Sequence, residues 1–191
     1  MIYPPRPTNA TTINEISFYE GLGFWGTAKF NGSCVVVDKG VVYDRHGKLQ
    51  PNWKFNIPPK LKGAVFCGEY MNKGETYKGL NFIVWDVLDF HGSLVGFKYA
   101  ERAEVLFQLF QKEIFTPEYE DDFVVQIDEG VGLIQNITED LTTAYNEIVK
   151  EKILEGLVLK NPYAELKNWS SDSSNSGWQV KIRKPNKLYS Y

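Results

Sequence analysis

The sequence is poor in the residues that staple or metallate small domains. Two cysteines and two histidines in 191 residues leave no Cys/His spacing for a zinc centre and no disulfide framework. Cys34 and Cys67 lie in apolar, strand-like runs and read as buried thiols of a cytosolic chain. Neither sign of charge dominates, with 21 Lys and Arg against 24 Asp and Glu and a net charge of -3. That balance excludes a protein that coats nucleic acid by bulk charge. It leaves room for a local basic stretch, and Lys181, Arg183, Lys184 and Lys187 form one. No run approaches the roughly 18 apolar residues of a membrane span. The Pro-rich first residues lack the apolar stretch of a signal peptide. The expectation is a cytoplasmic protein with no membrane contact. No internal repeat is visible.

What is present describes a packed globule. The chain is 43% hydrophobic, 24% charged and 15% aromatic, and its length suits one domain that needs no covalent staple. Residues 1–12 read as an extended arm, because Pro4, Pro5 and Pro7 break any helix there. Strand-like runs follow at 24–30, 64–70 and 80–88, with 93–97 placed to pair with the last. A hairpin is expected where 33–37 and 41–43 flank Asp38-Lys39-Gly40. Helical spacing marks 99–112, through Ala103, Leu106, Leu109 and Phe110, and 139–151, through Leu141, Tyr145, Ile148 and Val149, with Thr138 as N-cap. Strands return at 156–160 and 178–183, separated by a flexible Ser/Asn/Asp/Gly loop at 170–177. The order strands, helices, strands predicts an α+β domain built on antiparallel sheet.

Four segments carry chemistry. Lys29 ends an apolar strand just before Asn31-Gly32. Such an amine is a nucleophile when burial or neighbouring cations favour its neutral form. Cys67-Gly68-Glu69 ends a buried strand with a carboxylate. Glu155-Gly156-Leu157-Val158-Leu159-Lys160 opens a strand with a carboxylate and closes it with a lysine. The strand 178–183 puts Lys181 and Arg183 on one face, because strand side chains alternate. A nucleophilic amine, two carboxylates and a cationic face are the parts needed to attack a nucleotide α-phosphate, hold a divalent metal and neutralise developing charge.

These segments, in this order, resemble the nucleotidyltransferase domain of the ATP-dependent DNA ligase, RNA ligase and mRNA-capping superfamily. Lys29-Phe30-Asn31-Gly32 matches its Lys-x-(Asp/Asn/His)-Gly motif. Tyr43-Asp44-Arg45-His46-Gly47-Lys48 resembles the Ser-Arg-Asn-Gly segment of DNA ligases. Gly68-Glu69, the run 81–88 with Trp85-Asp86, Tyr99-Ala100-Glu101-Arg102, Glu155-Gly156 and Lys181-Ile182-Arg183 resemble the motifs that follow. The similarity spans about 25–184. It implies two antiparallel β-sheets with flanking helices, a ligase-type (ATP-grasp-like) domain occupying 1–191 without a C-terminal OB domain. It also implies that Lys29 attacks ATP to give a lysyl-AMP. The AMP then passes to a nucleic acid 5′-phosphate, and a 3′-hydroxyl displaces it. By the same resemblance Glu69 holds the ribose, Trp85 stacks on the base and Glu155 serves Mg2+ or Mn2+. Lys181 contacts the α-phosphate and helps keep Lys29 neutral, Arg183 binds the nucleotide, Arg45 meets a phosphate of the nucleotide or the strand end, and Lys160 adds a further phosphate contact. Arg102 is read as a helix anchor with no chemistry, and the two histidines as exposed turn residues.

The sequence also departs from the pattern. Many ligases carry Arg or Asn five residues after the lysine, where this chain has Cys34, so that contact is missing or supplied elsewhere. Arg183 stands where Lys is usual, which keeps the charge and changes its geometry. A polynucleotide ligase acting as a monomer on 5′-phosphate and 3′-hydroxyl ends is the leading reading. DNA nicks are favoured, with RNA ligation as the close alternative and a separate protein to supply the OB role. A nucleotide-binding module that has lost catalysis is the alternative of another class.

Overall fold

The computed structural model describes residues 4–10, 12–71, 76–115, 123–167 and 175–185. Lys187, Trp169 and the expected loop positions 170–174 lie outside the described residues. The strands are β1 (Arg6–Ala10), β2 (Trp25–Phe30), β3 (Ser33–Asp38), β4 (Val41–Asp44), β5 (Val65–Tyr70), β6 (Phe82–Asp89), β7 (Val124–Asp128), β8 (Val131–Ile134), β9 (Leu154–Lys160) and β10 (Asn175–Arg183). The helices are α1 (Ile16–Gly21), α2 (Tyr99–Leu109), α3 (Gln111–Phe115) and α4 (Leu141–Ile148). No helix among the described residues is long and apolar enough to cross a membrane.

The strands form two sheets, ordered β1-β10-β9-β2 and β4-β3-β5-β6-β8-β7. The α+β class and the paired sheets agree with expectation. Two strand pairs are parallel, however: β6 with β8 and β1 with β10. The β7–β8 hairpin has no counterpart in the predicted element order. It lies between the helices, where Val124, Val125, Ile127, Val131 and Leu133 are buried. Its strands are only four and five residues long, and periodicity over so short an apolar run does not separate strand from helix.

Other boundaries moved for local reasons. Within the extended arm expected at 1–12, Arg6–Ala10 joins a sheet edge. The run 93–97 makes only an isolated bridge, Ser93 to Asp89. Asp140, not Thr138, caps α4, and its φ of 52° makes the sharp entry. The hairpin falls where expected. Lys39 and Gly40, with φ of 49° and 92°, form the two-residue turn that matches strand twist.

Two apolar clusters hold the layers together. One packs Val35, Val37, Phe66, Val84 and Leu88 of the six-stranded sheet against Leu106 and Phe110 of the α2–α3 region. The other fills the space under the four-stranded sheet with Leu157, Leu159, Val180 and Ile182 against Ile83 and the α4 residues Leu141, Tyr145 and Ile148. Trp85 packs against both. Asp86 and Arg102 lock α2 to β6 with paired bonds of 2.9 and 2.8 Å between side chains that are 2% and 0% exposed. Arg102 therefore anchors its helix, as its position suggested.

Candidate active site

One face of the four-stranded sheet forms the floor of a cleft of about 760 Å³. Strand register explains which residues reach it. Lys29 lies opposite Gly156, which lies opposite Arg183, and Thr27 opposite Val158, which lies opposite Lys181. Registered partners share a face, so Lys29, Lys181 and Arg183 project together while Ala28, Leu157 and Ile182 point into the core. Lys181 and Arg183 thus share a face as strand alternation required. The opposite wall comes from the six-stranded sheet, through Cys34, Glu69 and Trp85. All eight residues singled out from the sequence line this cleft: Lys29, Arg45, Glu69, Trp85, Glu155, Lys160, Lys181 and Arg183.

Glu155 needs a distortion to face inward. The register slips between Lys29 and Phe30, whose partners are Gly156 and Leu154. Glu155 is the extra residue of this β-bulge. Gly156 adopts φ 142°, and a Cβ there would overlap the Ile182 carbonyl oxygen. Only glycine fits that close approach. Gly156→Ala is therefore expected to lower unfolding free energy in urea by on the order of 2–3 kcal/mol, and an unchanged denaturation midpoint would contradict this account. Gly32 is tight for a similar reason, since a Cβ would sit 2.6 Å from the Tyr70 carbonyl oxygen.

The bulge brings the Glu155 carboxylate into an ion pair with the Lys29 amine. Arg183 Nε lies 3.6 Å from the same carboxylate oxygen. Lys181 has its pKa lowered by burial, by Arg183 and by Lys29, with Glu155 opposing. The Lys29 amine, a carboxylate and two further cations therefore meet at one end of the floor. Glu69 faces them from β5 and accepts a bond from the Gly32 amide at 3.0 Å. Burial pushes the Glu69 carboxyl up to about 7 against the pull of Lys29 and of that amide. A carboxyl raised from 4.5 to about 7 favours the folded state below the unfolded value and loses that contribution as pH rises through the folded one. Glu69→Gln, which keeps an acceptor for the Gly32 amide, should gain stability over the native protein as pH climbs from about 5 to about 7. A gap between the two that stays constant across this range would remove the shift.

Lys160 occupies the other end. It lies opposite Trp25 and Gln179, four residues along β9 from Gly156, or about 13 Å at strand rise. It is 2% exposed. Its amine donates to Tyr99 Oη at 2.9 Å, and Tyr99 Oη donates to Asn136 at 2.8 Å. The same amine lies 5.4 Å from the Trp85 ring centre and 4.4 Å from that of Tyr99. Burial lowers its pKa to about 8.

Some cleft residues were not anticipated. Gln179 is on the Lys181 face, and the two-residue period of β10 marks it. Cys34 was read as buried. Cys67 is buried, but Cys34 is only partly so and lines the cleft. His46 lines the mouth and accepts from Arg45 Nε at 3.0 Å. Arg6 enters from β1 and donates to the Arg45 carbonyl at 3.4 Å. No local sequence signal marks it, because its place depends on pairing with β10. Among the described residues no group of three or more His, Cys, Asp or Glu could hold a metal ion.

No family model and no curated protein matches this chain. Solved structures do. A Lig E DNA ligase with a minimal scaffold is 14% identical with a TM-score of 0.61, over 96% of this chain and 70% of that one. A mycobacterial DNA ligase D complexed with ATP is 15% identical with a TM-score of 0.65, over 97% and 61%. The ATP-dependent DNA ligase from bacteriophage T7, in complex with ATP, is 14% identical with a TM-score of 0.56, over 95% and 68%. The chain thus spans between three fifths and seven tenths of these proteins' length. Nearly all of it superposes on each of them, and its fold is the one these DNA ligases have over the matched stretch.

Proposed function

We propose that this chain is an ATP-dependent polynucleotide ligase, acting on DNA nicks through a lysyl-AMP at Lys29. The observation that carries the reading is the convergence of Lys29, Glu155, Lys181 and Arg183 at one end of the cleft, with Trp85 and Glu69 on the facing wall. Similarity in fold to ligases solved with ATP supports it.

In this reading Trp85 stacks on the base and Glu69 holds the ribose hydroxyls. Lys160 sits against Trp85, so we assign it to the base end rather than to a phosphate. Lys29 Nζ attacks the α-phosphorus as the bond to pyrophosphate breaks, and pyrophosphate leaves with the electron pair. The paired Glu155 carboxylate takes the ammonium proton that must leave before the attack, and the second N–H proton, lost as the P–N bond forms, passes to the departing pyrophosphate or to water. Lys181 and Arg183 offset the charge that builds on the phosphate oxygens. An oxygen of the strand's 5′-phosphate then displaces Lys29 from the AMP, breaking the P–N bond. The 3′-hydroxyl next attacks the 5′-phosphate and releases AMP. Glu155 would serve a divalent ion, Mg2+ or Mn2+, which would neutralise phosphate charge. One or two carboxylates are too few for a protein cage, so such an ion would take most of its ligands from phosphates and water.

The test is incubation of the full chain with α-labelled ATP or GTP and a divalent metal, followed by acid precipitation. Label from ATP that pyrophosphate discharges, and that nicked duplex DNA consumes, is the expected result. Absence of label with both nucleotides overturns the enzyme reading. Label consumed by nicked RNA and not by nicked DNA turns it to RNA ligation.

A further inference from the structure

The back of the six-stranded sheet carries a second cavity, of about 610 Å³. Strand alternation sets it apart from the nucleotide cleft. On β3 and β5 the partners Cys34 and Glu69 face the cleft, while Tyr70 and Val35, one residue further along each strand, face the second cavity. Ser33 and Asp44 line both spaces, so the two lie back to back at one edge of the sheet. The buried side chains of Val35, Val42 and Met71 make the floor. Trp53 and Tyr70, both half-buried, make the walls. Phe55 braces both rings, with its centre 4.9 Å from that of Trp53 and 5.5 Å from that of Tyr70, and itself stacks on Phe82 at 4.0 Å and 11°. The main chain beside Trp53 is pinned to the sheet as well. Tyr70 Oη accepts from the Lys54 amide at 3.1 Å, and Asn81 Nδ2 donates to the Lys54 carbonyl at 3.1 Å. The aromatic walls are thus fixed before any ligand arrives. Asn81 also keeps a buried side-chain oxygen with no hydrogen-bond partner among the described residues. Asn52 and Lys54 are exposed at the rim.

We propose that this cavity takes one unpaired nucleobase of a nucleic acid strand, stacked against Trp53 and Tyr70. Its volume falls within the roughly 300–1,000 Å³ of small-ligand sites. Two braced aromatic walls suit a flat unsaturated ring, and every base has such a face. The amides of Asn52 and Asn81 offer polar partners to the ring edge. Lys54 is the one cation lining the cavity among the described residues. That is too little for a free triphosphate and enough for the single phosphate that joins a base to the next. A strand is therefore the source we commit to. The charge of the chain points the same way. With a net charge of -3 it has no bulk attraction for a phosphate backbone, and stacking is a grip that needs no excess of cations. A base held in a duplex is not available to such a cavity, so it favours ends and gaps with an unpaired position. The inference rests on the ligase reading for the presence of a nucleic acid, but its test does not need catalysis.

The experiment measures equilibrium binding of the full chain to a single-stranded oligodeoxynucleotide and to an abasic strand of the same length and charge. A non-hydrolysable ATP analogue is present throughout to fill the nucleotide cleft. The native protein should prefer the strand with bases by about tenfold, the size of one base–aromatic stack. Trp53→Ala should erase that preference, and Trp53→Phe, which keeps a ring, should retain most of it. A strand carrying 5-iodouracil, irradiated with the native protein, should attach to Trp53 or Tyr70, a readout that requires no variant to fold. Equal binding of both strands by the native protein, an undiminished preference in Trp53→Ala, or attachment confined to Trp85 overturns the site. So does loss of the preference to an equimolar amount of free AMP, which assigns the cavity to mononucleotides. Failure of the adenylation assay with the preference intact would sink the ligase mechanism and leave the site standing.

Discussion

Lys29→Ala is expected to reduce covalent labelling by α-labelled ATP to background, a loss of more than about a thousandfold. The alanine removes the only amine on the Lys29–Gly156–Arg183 rung of the floor, and no neighbour can replace it. Lys181 projects two rungs along, opposite Val158, and Lys160 is held about four strand residues away by Tyr99. Folding should survive, since Lys29 is not a core residue and its ion pair is partly exposed, with side-chain accessibilities of 19% and 29%. The decisive comparison is labelling against the unfolding midpoint of the same preparation. Label that persists in a folded Lys29→Ala protein moves the nucleophile elsewhere. Lys29→Arg should be nearly as inactive, because a guanidinium keeps the charge and offers no free electron pair at neutral pH.

Asp86→Ala should lower unfolding free energy by about 3–5 kcal/mol, measured by urea denaturation. The substitution leaves Arg102, 0% exposed, with the Phe97 carbonyl at 2.9 Å as its remaining described hydrogen-bond partner. A buried guanidinium without its carboxylate carries its full desolvation penalty. Against a total stability of roughly 5–15 kcal/mol this is severe. The double substitution Asp86→Leu with Arg102→Met should recover most of the loss, because an apolar pair carries no such penalty. If Asp86→Ala instead costs under about 1 kcal/mol, the pair is not what joins α2 to β6. The position also links stability to the site. Trp85 precedes Asp86 on β6 and faces the cleft, so loosening this joint should weaken nucleotide binding as well.

Much of the site was legible because its logic is local. Strand alternation puts Lys181 and Arg183 on one face, and Glu155 reads as a carboxylate that opens a strand. Lys29 before Asn31-Gly32 reads from four consecutive letters. What escaped depends on distance along the chain. The β7–β8 hairpin is too short and too uniformly apolar for its period to be resolved, and β8 is held by parallel pairing with β6. Lys160 reads as a further phosphate contact until Tyr99, Asn136 and Trp85, from three other segments, close around it. Arg6 carries no local mark at all, since only its pairing partner β10 determines where it goes. The half-buried setting of Cys34 is also a tertiary fact. Its strand is apolar, but the side facing the cleft is left partly open.

The pairing of Arg6–Ala10 with Asn175–Arg183 has a consequence for biosynthesis. The floor of the cleft combines β2, made early, with β9 and β10, made late. Contacts of such high sequence separation form slowly, because a long loop must close before they contribute. A ribosome-bound chain can assemble the hairpin of β3 and β4 and the β5–β6 pair. It cannot present a complete floor to a nucleotide before Arg183 has emerged. On the proposed reading, ATP should therefore stabilise only chain lengths in which β10 has paired, and not shorter ones that lack it.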